Sequence, residues 1–449
     1  MAAAAPLESG REEVGIMPGR ITLAVAALVA ALLFVAAFIC ARAAHASNCA
    51  ATSVGFVPLT DLGAGTYHGF PGGLYPGATN VRPPAHDSAG LAIARAIVPL
   101  DTLGNPDPAN GRIVLISIGM SNATQEFSTF VPLATSDPGR NPRLNVIDCA
   151  EGGQATQDIR TAGAPYWDTV AARLRAHGSA PLQAQVAWIK EARRSPTESF
   201  PASADSLTND LGTIVRILHA KLPNLRIAYL TSRIYAGYAT GVSTLNPEPY
   251  AYESGFAVRW LIGAQIAGVD SLAFDPAHGP VQSPWLSWGP YLWADGLNPR
   301  SDGLVWHCAD FVSDGTHPST SGRTVVADSL LAFFHRESTS MPWFVSHATV
   351  SVEEHSTGTG IAVAPNPGLA AIDIAFTPER GAPWRLEILD LGGRRVRALA
   401  RGSGGAAPLA LRWDGRDDAG QTVRAGIYWA RLTSGGRTRS ARVAWLAGR

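Results

Sequence analysis

The 449-residue chain is too long for one ordinary domain, and two or three are expected. Hydrophobic residues make up 46% and charged residues 16%, which supplies a sizeable core and excludes a disordered chain. Lysine plus arginine and aspartate plus glutamate both number 36, so a formal net charge of zero gives no electrostatic reason to expect nucleic acid as a partner.

At the N-terminus, Ile21 to Ile39 runs without a charge and is followed by Ala44-His45-Ala46, a small-x-small cleavage pattern. Residues 1–46 are therefore expected to be a signal peptide cut after Ala46, placing the mature protein outside the cell or on its surface. The apolar run is also just long enough to span a bilayer, so an uncleaved membrane anchor over residues 21–39 is the alternative. Cleavage would leave Cys49, Cys149 and Cys308, which permit at most one intramolecular disulfide in an oxidising compartment. Cys149 and Cys308, each close to a motif described below, are the expected pair. Three buried free thiols are the alternative.

From Cys49 to about Pro108 the sequence is rich in glycine, proline and aromatic residues without sustained periodicity, and reads as an irregular lead-in. Short apolar runs follow at Arg112 to Ile118, Leu144 to Ile147, Ala184 to Trp188 and Leu225 to Leu230, as expected of buried parallel strands. Amphipathic stripes separate them. Leu207, Leu211, Ile214, Val215, Leu218 and Leu222 recur at helical spacing up to Pro223, and further helices are expected through Phe256 to Ile266 and after Pro318-Ser319. Strands alternating with helices predict a doubly wound parallel α/β sheet, with ligands at the carboxyl ends of the strands.

After Phe334 the composition changes. Met341 to Val345 is expected to pack back on the first domain, which spans residues 47–345, and residues 346–360 read as a linker with a polar stretch from Ser351 to Gly360. From Ile361 short alternating segments take over, at Trp384 to Ile388, Leu409 to Trp413 and Ile427 to Leu432. Turn signals at Leu391-Gly392-Gly393, Asp417 to Gly420 and Ser434-Gly435-Gly436 separate them. Residues 361–449 thus predict a small all-β sandwich.

Two strand-to-loop junctions carry reactive residues. Gly119-Met120-Ser121-Asn122 follows the first strand, and Asp314-Gly315-Thr316-His317 leads into the last helix. An aspartate three residues before a histidine can accept the imidazole Nδ1 proton, which leaves Nε2 to take a proton from a nucleophilic serine. Ligand-type residues also cluster at His307, Cys308, Asp310, Asp314 and His317. Their spacing matches no zinc pattern, and a hydrolytic zinc would leave Ser121 without a task, so neither metal nor other cofactor is expected. Asn122-Ala123-Thr124 matches a glycosylation sequon, read as coincidence because it lies in the proposed site. Trp288 and Trp293, in an aromatic-rich stretch between Tyr250 and Trp306, are candidates for stacking on a sugar, and Arg233 is a candidate for holding an acidic group.

In this order, over residues 111–337, the blocks resemble the SGNH (GDSL-like) hydrolases, with the first block closer to the Gly-Gln-Ser-Asn form of carbohydrate acetylesterases. The resemblance implies a flavodoxin-like sheet, a catalytic set of Ser121, His317 and Asp314, and an oxyanion donor in the second block, Ala150 to Gln154. Gly153 is the choice there and Gly152 the alternate. The chain departs from the family where a third block should provide Gly-x-Asn-Asp. The loop there reads Trp188-Ile189-Lys190-Glu191, and Asn209-Asp210, which matches by letters, falls inside a helical pattern. Lys190 is the expected substitute donor, with Asn122 and Gln154 also in reach.

The C-terminal segment resembles the FlgD-type Ig-like domain and the sorting domain of type IX secretion, on Ala364-Pro365-Asn366-Pro367, Leu386 to Asp390, Gly393 to Arg397, Trp413 to Asp417 and Ala425 to Trp429. That implies a role in sorting or surface attachment. The functional expectation is an exported serine esterase that removes acetyl groups from a glycan. The alternative is a non-catalytic surface protein that uses the same scaffold to bind glycan.

Overall fold

The computed structural model describes residues 47–240, 246–346 and 361–446, apart from positions 365, 367, 369, 370, 391, 392 and 406. The expected signal peptide or anchor and nearly all of the linker lie outside the described residues. No described helix is long and apolar enough to cross a membrane. The chain forms two compact units that divide between His347 and Ala348.

The first unit is built on five strands: β1 (Ile113–Gly119), β2 (Leu144–Ile147), β3 (Ala184–Lys190), β4 (Ile227–Leu230) and β5 (Trp285–Trp288). All pair in parallel, in the order β2-β1-β3-β4-β5. Every residue of β1, β3, β4 and β5 is buried, so both faces of the sheet are covered, which is why these strands read as continuous apolar runs. The principal helices are α1 (Pro84–Arg95), α2 (Ser121–Ser136), α3 (Pro165–Ala176), α4 (Ala202–Lys221), α5 (Tyr250–Ile266) and α6 (Thr320–Arg336). Helix α2 packs against α6, and α4 against α5. The strand order reverses at β1, and the crevice between β1 and β3 is where a sheet of this kind places its ligand.

Three expectations change. The lead-in is not wholly irregular, because it contains α1. That helix has no stripe of large apolar residues. Its buried residues are His86, Gly90 and Ala94, and a Cβ on Gly90 would lie 2.2 Å from the ring of Trp285. Strand β5 comes from Trp285-Leu286-Ser287-Trp288 and pairs with β4, and β3 runs on through Lys190, which is therefore a strand residue and not part of a loop.

The disulfide is Cys49–Cys308, not Cys149–Cys308, and Cys149 is a buried free thiol. The N-terminal segment explains the pairing. Asn48 N donates to Tyr238 O, Leu297 N donates to Thr52 O, and Ser53 Oγ and Val54 N donate to the Asp295 carboxylate, so the segment is carried past the loops that bear Cys308. The bond spans 259 positions of sequence. Cross-linking so long a loop restricts the unfolded chain, and its removal is expected to cost ~2–5 kcal/mol. Replacing both cysteines with serine should lower the denaturant midpoint of the first unit, and reductant should no longer shift that midpoint in the variant.

Among the described residues, the strands of the second unit pair antiparallel: β6 (Ile361–Ala364), β7 (Ile372–Phe376), β8 (Pro383–Leu389), β9 (Arg395–Ser403), β10 (Leu409–Trp413), β11 (Gly426–Ser434) and β12 (Arg437–Trp445). They form a three-stranded sheet, β10-β7-β6, and a four-stranded sheet, β9-β8-β11-β12. Ile372, Ile374, Phe376, Leu386, Leu432 and Trp445 belong to its core. Ser434 pairs with Arg437 across Gly435 and Gly436, whose φ angles of 57° and 78° suit a tight hairpin that follows the strand twist. Of the expected turn at Leu391-Gly392-Gly393, only Gly393 lies within the described residues.

Candidate active site

Ser121 is the first residue of α2, directly after β1. Its backbone amide belongs to the first helical turn, whose N–H groups have no intrahelical partners and sit at the positive end of the helix dipole. Gly119 makes the junction possible. A Cβ there would lie 2.3 Å from the Lys190 carbonyl oxygen and 2.5 Å from Ala123 Cβ, so only glycine lets β1, β3 and α2 meet this closely. Behind the serine, the Asp148 carboxylate accepts from Ser117 Oγ on β1 and Thr124 Oγ1 on α2, both at 2.5 Å, and so fixes the helix to the strand.

The Asp-x-x-His loop reaches this serine. Ser121 Oγ lies 2.6 Å from His317 Nε2, and His317 Nδ1 lies 2.6 Å from Asp314 Oδ2. The other oxygen, Oδ1, accepts from the Thr316 and His317 amides. The loop is clamped by Asn122 Nδ2 donating to Thr316 O, and by Gly315, where a Cβ would lie 2.4 Å from the Tyr238 backbone. Burial pushes the Asp314 carboxyl upward, but hydrogen bonds from the His317 ring and the two amides outweigh it and hold the group below the ordinary carboxylate range.

A depressed carboxylate contributes stability above its unfolded value, near 3.9, and that stability is lost as pH falls through its folded value. The melting-temperature gap between the wild type and Asp314→Asn should therefore be widest near neutrality and close as pH drops below about 4.

A cleft of about 80 Å³ opens at the serine, lined by Met120, Ser121, Asn122, Gly153, Ala155, Arg194, Arg233, Asn246, Thr316 and His317. It thus brings Gly153 and Arg233 to Ser121 and His317. Gly153 is exposed, with φ 81°, and a Cβ on the adjacent Gly152 would lie 3.8 Å from Ser121 Cβ, so this loop abuts Ser121. Among the described residues, no backbone carbonyl accepts from the Gly152 or Gly153 amide.

Arg233 is buried, and burial lowers its affinity for its proton against the Glu126, Glu191, Glu248 and Asp314 carboxylates around it. Glu248 is pushed up to about 7 by burial, although it accepts from Trp293 Nε1 and from the Ala236 and Tyr252 amides. Burial likewise raises Glu191, although it accepts from the Ala192 amide.

Several expected contributors sit elsewhere. Lys190 does not line the cleft. Its Nζ donates to both carboxylate oxygens of Glu126, at 2.6 and 2.7 Å, and both side chains are almost fully buried. Asn122 does line the cleft, but it is buried and its side-chain amide donates to Thr316 O. Trp288 and Trp293 offer no ring to a sugar. They are core residues, with their indole N–H groups donating to Leu74 O and Glu248 Oε1. The ligand-type cluster disperses too: Cys308 is in the disulfide, and Asp310 accepts from the His307 amide and Ser321 Oγ. Asp210 lies within α4 and accepts from Thr156 Oγ1 and Arg160.

Arg194 and Asn246 line the cleft without having been singled out from sequence. Arg194 pairs with Asp158, and Asn246 is buried with φ 61°.

No family model and no curated protein matches the chain. Among solved structures, dimeric latent PorU from Porphyromonas gingivalis shares 21% identity over 20% of this chain and 9% of its own, with a TM-score of 0.18. PorZ, a surface component of the type-IX secretion system of the same organism, shares 20% over 19% of this chain and 11% of its own, at 0.15. Salicylyl-acyltransferase SsfX3, from a tetracycline biosynthetic pathway, shares 14% over 52% of this chain and 58% of its own, at 0.27. The chain thus spans less than two thirds of each, and scores this low bear on neither fold nor function.

Proposed function

We propose that the first unit is a serine ester hydrolase that removes acetyl groups from a glycan. The observation that carries this reading is the unbroken relay Ser121 Oγ–His317 Nε2 and His317 Nδ1–Asp314 Oδ2, with 2.6 Å at each step. Ser121 Oγ attacks the ester carbonyl carbon while His317 Nε2 takes its proton, and Asp314 holds the imidazole in the tautomer this requires. The Ser121 and Gly153 amides stabilise the oxyanion. His317 then protonates the departing alcohol, and water resolves the acyl-enzyme by the same route in reverse. A cleft of about 80 Å³ suits a short acyl group, because pockets that engulf larger ligands run to several hundred Å³. Export rests on the N-terminal sequence, and the second unit is read as a sorting or attachment module. Asn366 fits that reading, bonding Arg442 O and the Ala444 amide to fasten its motif to β12.

The test is an acyl-chain series on the full protein, from acetate to octanoate esters, with mass spectrometry of the protein after a small phosphonate probe. Acetate preference and a single adduct on Ser121 are expected. An adduct elsewhere, or a rate rising with chain length, would remove the reading.

A further inference from the structure

The balanced total charge conceals a basic C-terminal unit: residues 361–449 hold 14 of the chain's 36 lysines and arginines but only 7 of its 36 aspartates and glutamates. The strand register shows where that excess goes. In the four-stranded sheet Trp384, Leu386, Ile388, Ala430 and Leu432 point into the core, so the residues between them face outward. On that outer face Arg385 stands opposite Arg401, Glu387 opposite Arg431, Leu389 opposite Arg395, and Trp429 opposite Arg442. The Arg385 and Arg395 side chains are 59% and 55% exposed, Arg401 and Arg442 are exposed, and Trp429 is 37% exposed.

Glu387 lies at the centre, bonding Arg431 at 3.0 Å and pairing more loosely with Arg385 and Arg395, which Asp418 also reaches at 3.3 Å. Three of the five guanidinium groups on this face thus pair with Glu387 or Asp418. Like charges placed directly opposite on neighbouring strands destabilise a sheet, and Arg385 facing Arg401 is unexplained by the fold itself. An external polyanion would relieve it.

We infer that this arginine face is a docking surface for an acidic polysaccharide. Carboxylates or sulfates along an extended glycan would meet guanidinium groups on strands about 4.8 Å apart, each able to take an anion in a bidentate contact. Trp429 presents a ring on which a sugar can lie, and Thr433 and Ser440, also outward by register, offer hydroxyls. A four-stranded face does not enter a duplex groove, which admits a helix or a two-stranded ribbon. With one exposed ring it lacks the row of aromatic platforms that single strands use. Among the described residues it has no cluster of exposed apolar side chains to enter a lipid surface. Binding here requires no catalysis, so it stands apart from the role of Ser121.

The experiment measures binding of the full chain to immobilised polygalacturonate, with dextran, duplex DNA and phosphatidylglycerol vesicles in parallel. Salt-sensitive binding to polygalacturonate and none to dextran are expected. Arg385→Gln/Arg401→Gln/Arg442→Gln should weaken it at least tenfold, while Arg380→Gln/Arg412→Gln/Arg424→Gln, which removes equal charge elsewhere on the unit, should change it less than threefold. Arg442→Glu alone, at an exposed edge position, should weaken it severalfold and guards against misfolding of the triple variant. Equal losses in both triple variants, tighter binding to DNA or vesicles, or no binding to polygalacturonate would each overturn the inference.

Discussion

Ser121→Ala and His317→Ala are each expected to lower kcat for an acetyl ester by about 10⁵–10⁶-fold, with the protein still folded. The two side chains act as a unit through one 2.6 Å contact, so removing either disables the same proton transfer. The double variant should therefore be no slower than either single one, leaving only what the oxyanion donors and binding supply. Asp314→Ala should lose less, on the order of 10⁴-fold, because the imidazole can still act when poorly held. Neither Ser121 nor His317 is deeply buried, and loss of their mutual hydrogen bond should cost only ~1 kcal/mol. Steady-state kinetics beside thermal melts separates the two effects. Turnover by the Ser121→Ala protein at the wild-type rate would end the serine-hydrolase reading.

The hydrogen-bonded chain Ser121–His317–Asp314 was legible because it depends on local order: a serine just after an apolar strand, and an aspartate three residues before a histidine near a helix start. Strands β2 and β10 were legible because each is a clean apolar or alternating run between turn residues. What escaped has a tertiary cause. Helix α1 buries small residues against Trp285, so it shows no apolar stripe, and β5 contributes two tryptophans and a serine where β-branched residues would have marked a strand. Trp288 and Trp293 looked like a sugar platform because aromatic residues mark both cores and binding faces, and only burial separates the two. The disulfide depended on where a 259-residue loop brings its ends together. The arginine face was hidden by a sum, since whole-chain neutrality averages over units of opposite sign.

Lys190→Met is expected to destabilise the first unit by ~3–5 kcal/mol, the cost of leaving a buried carboxylate without its partner. Lys190 ends β3 beside Gly119, and Glu126 lies five residues after Ser121 on α2, so their pairing ties the carboxyl end of a central strand to the helix that begins at Ser121. Burial already pulls Lys190 down to about 8 and raises Glu126, while Lys190 and then Arg233 and His317 pull Glu126 the other way. Without Lys190, Glu126 rises further. A carboxyl raised in the folded state binds its proton more tightly there than in the unfolded chain, so stability should climb as pH falls from neutrality toward about 4. The deficit of Lys190→Met against wild type should then narrow in acid. Lys190→Met/Glu126→Leu should regain most of the loss at neutral pH, since removing both partners leaves no unpaired charge. Urea titrations at pH 7.5 and pH 5 check both statements. An oxyanion role for Lys190 predicts the opposite pattern, a fall in kcat with an unchanged urea midpoint, and that result would place its ammonium group in the cleft after all.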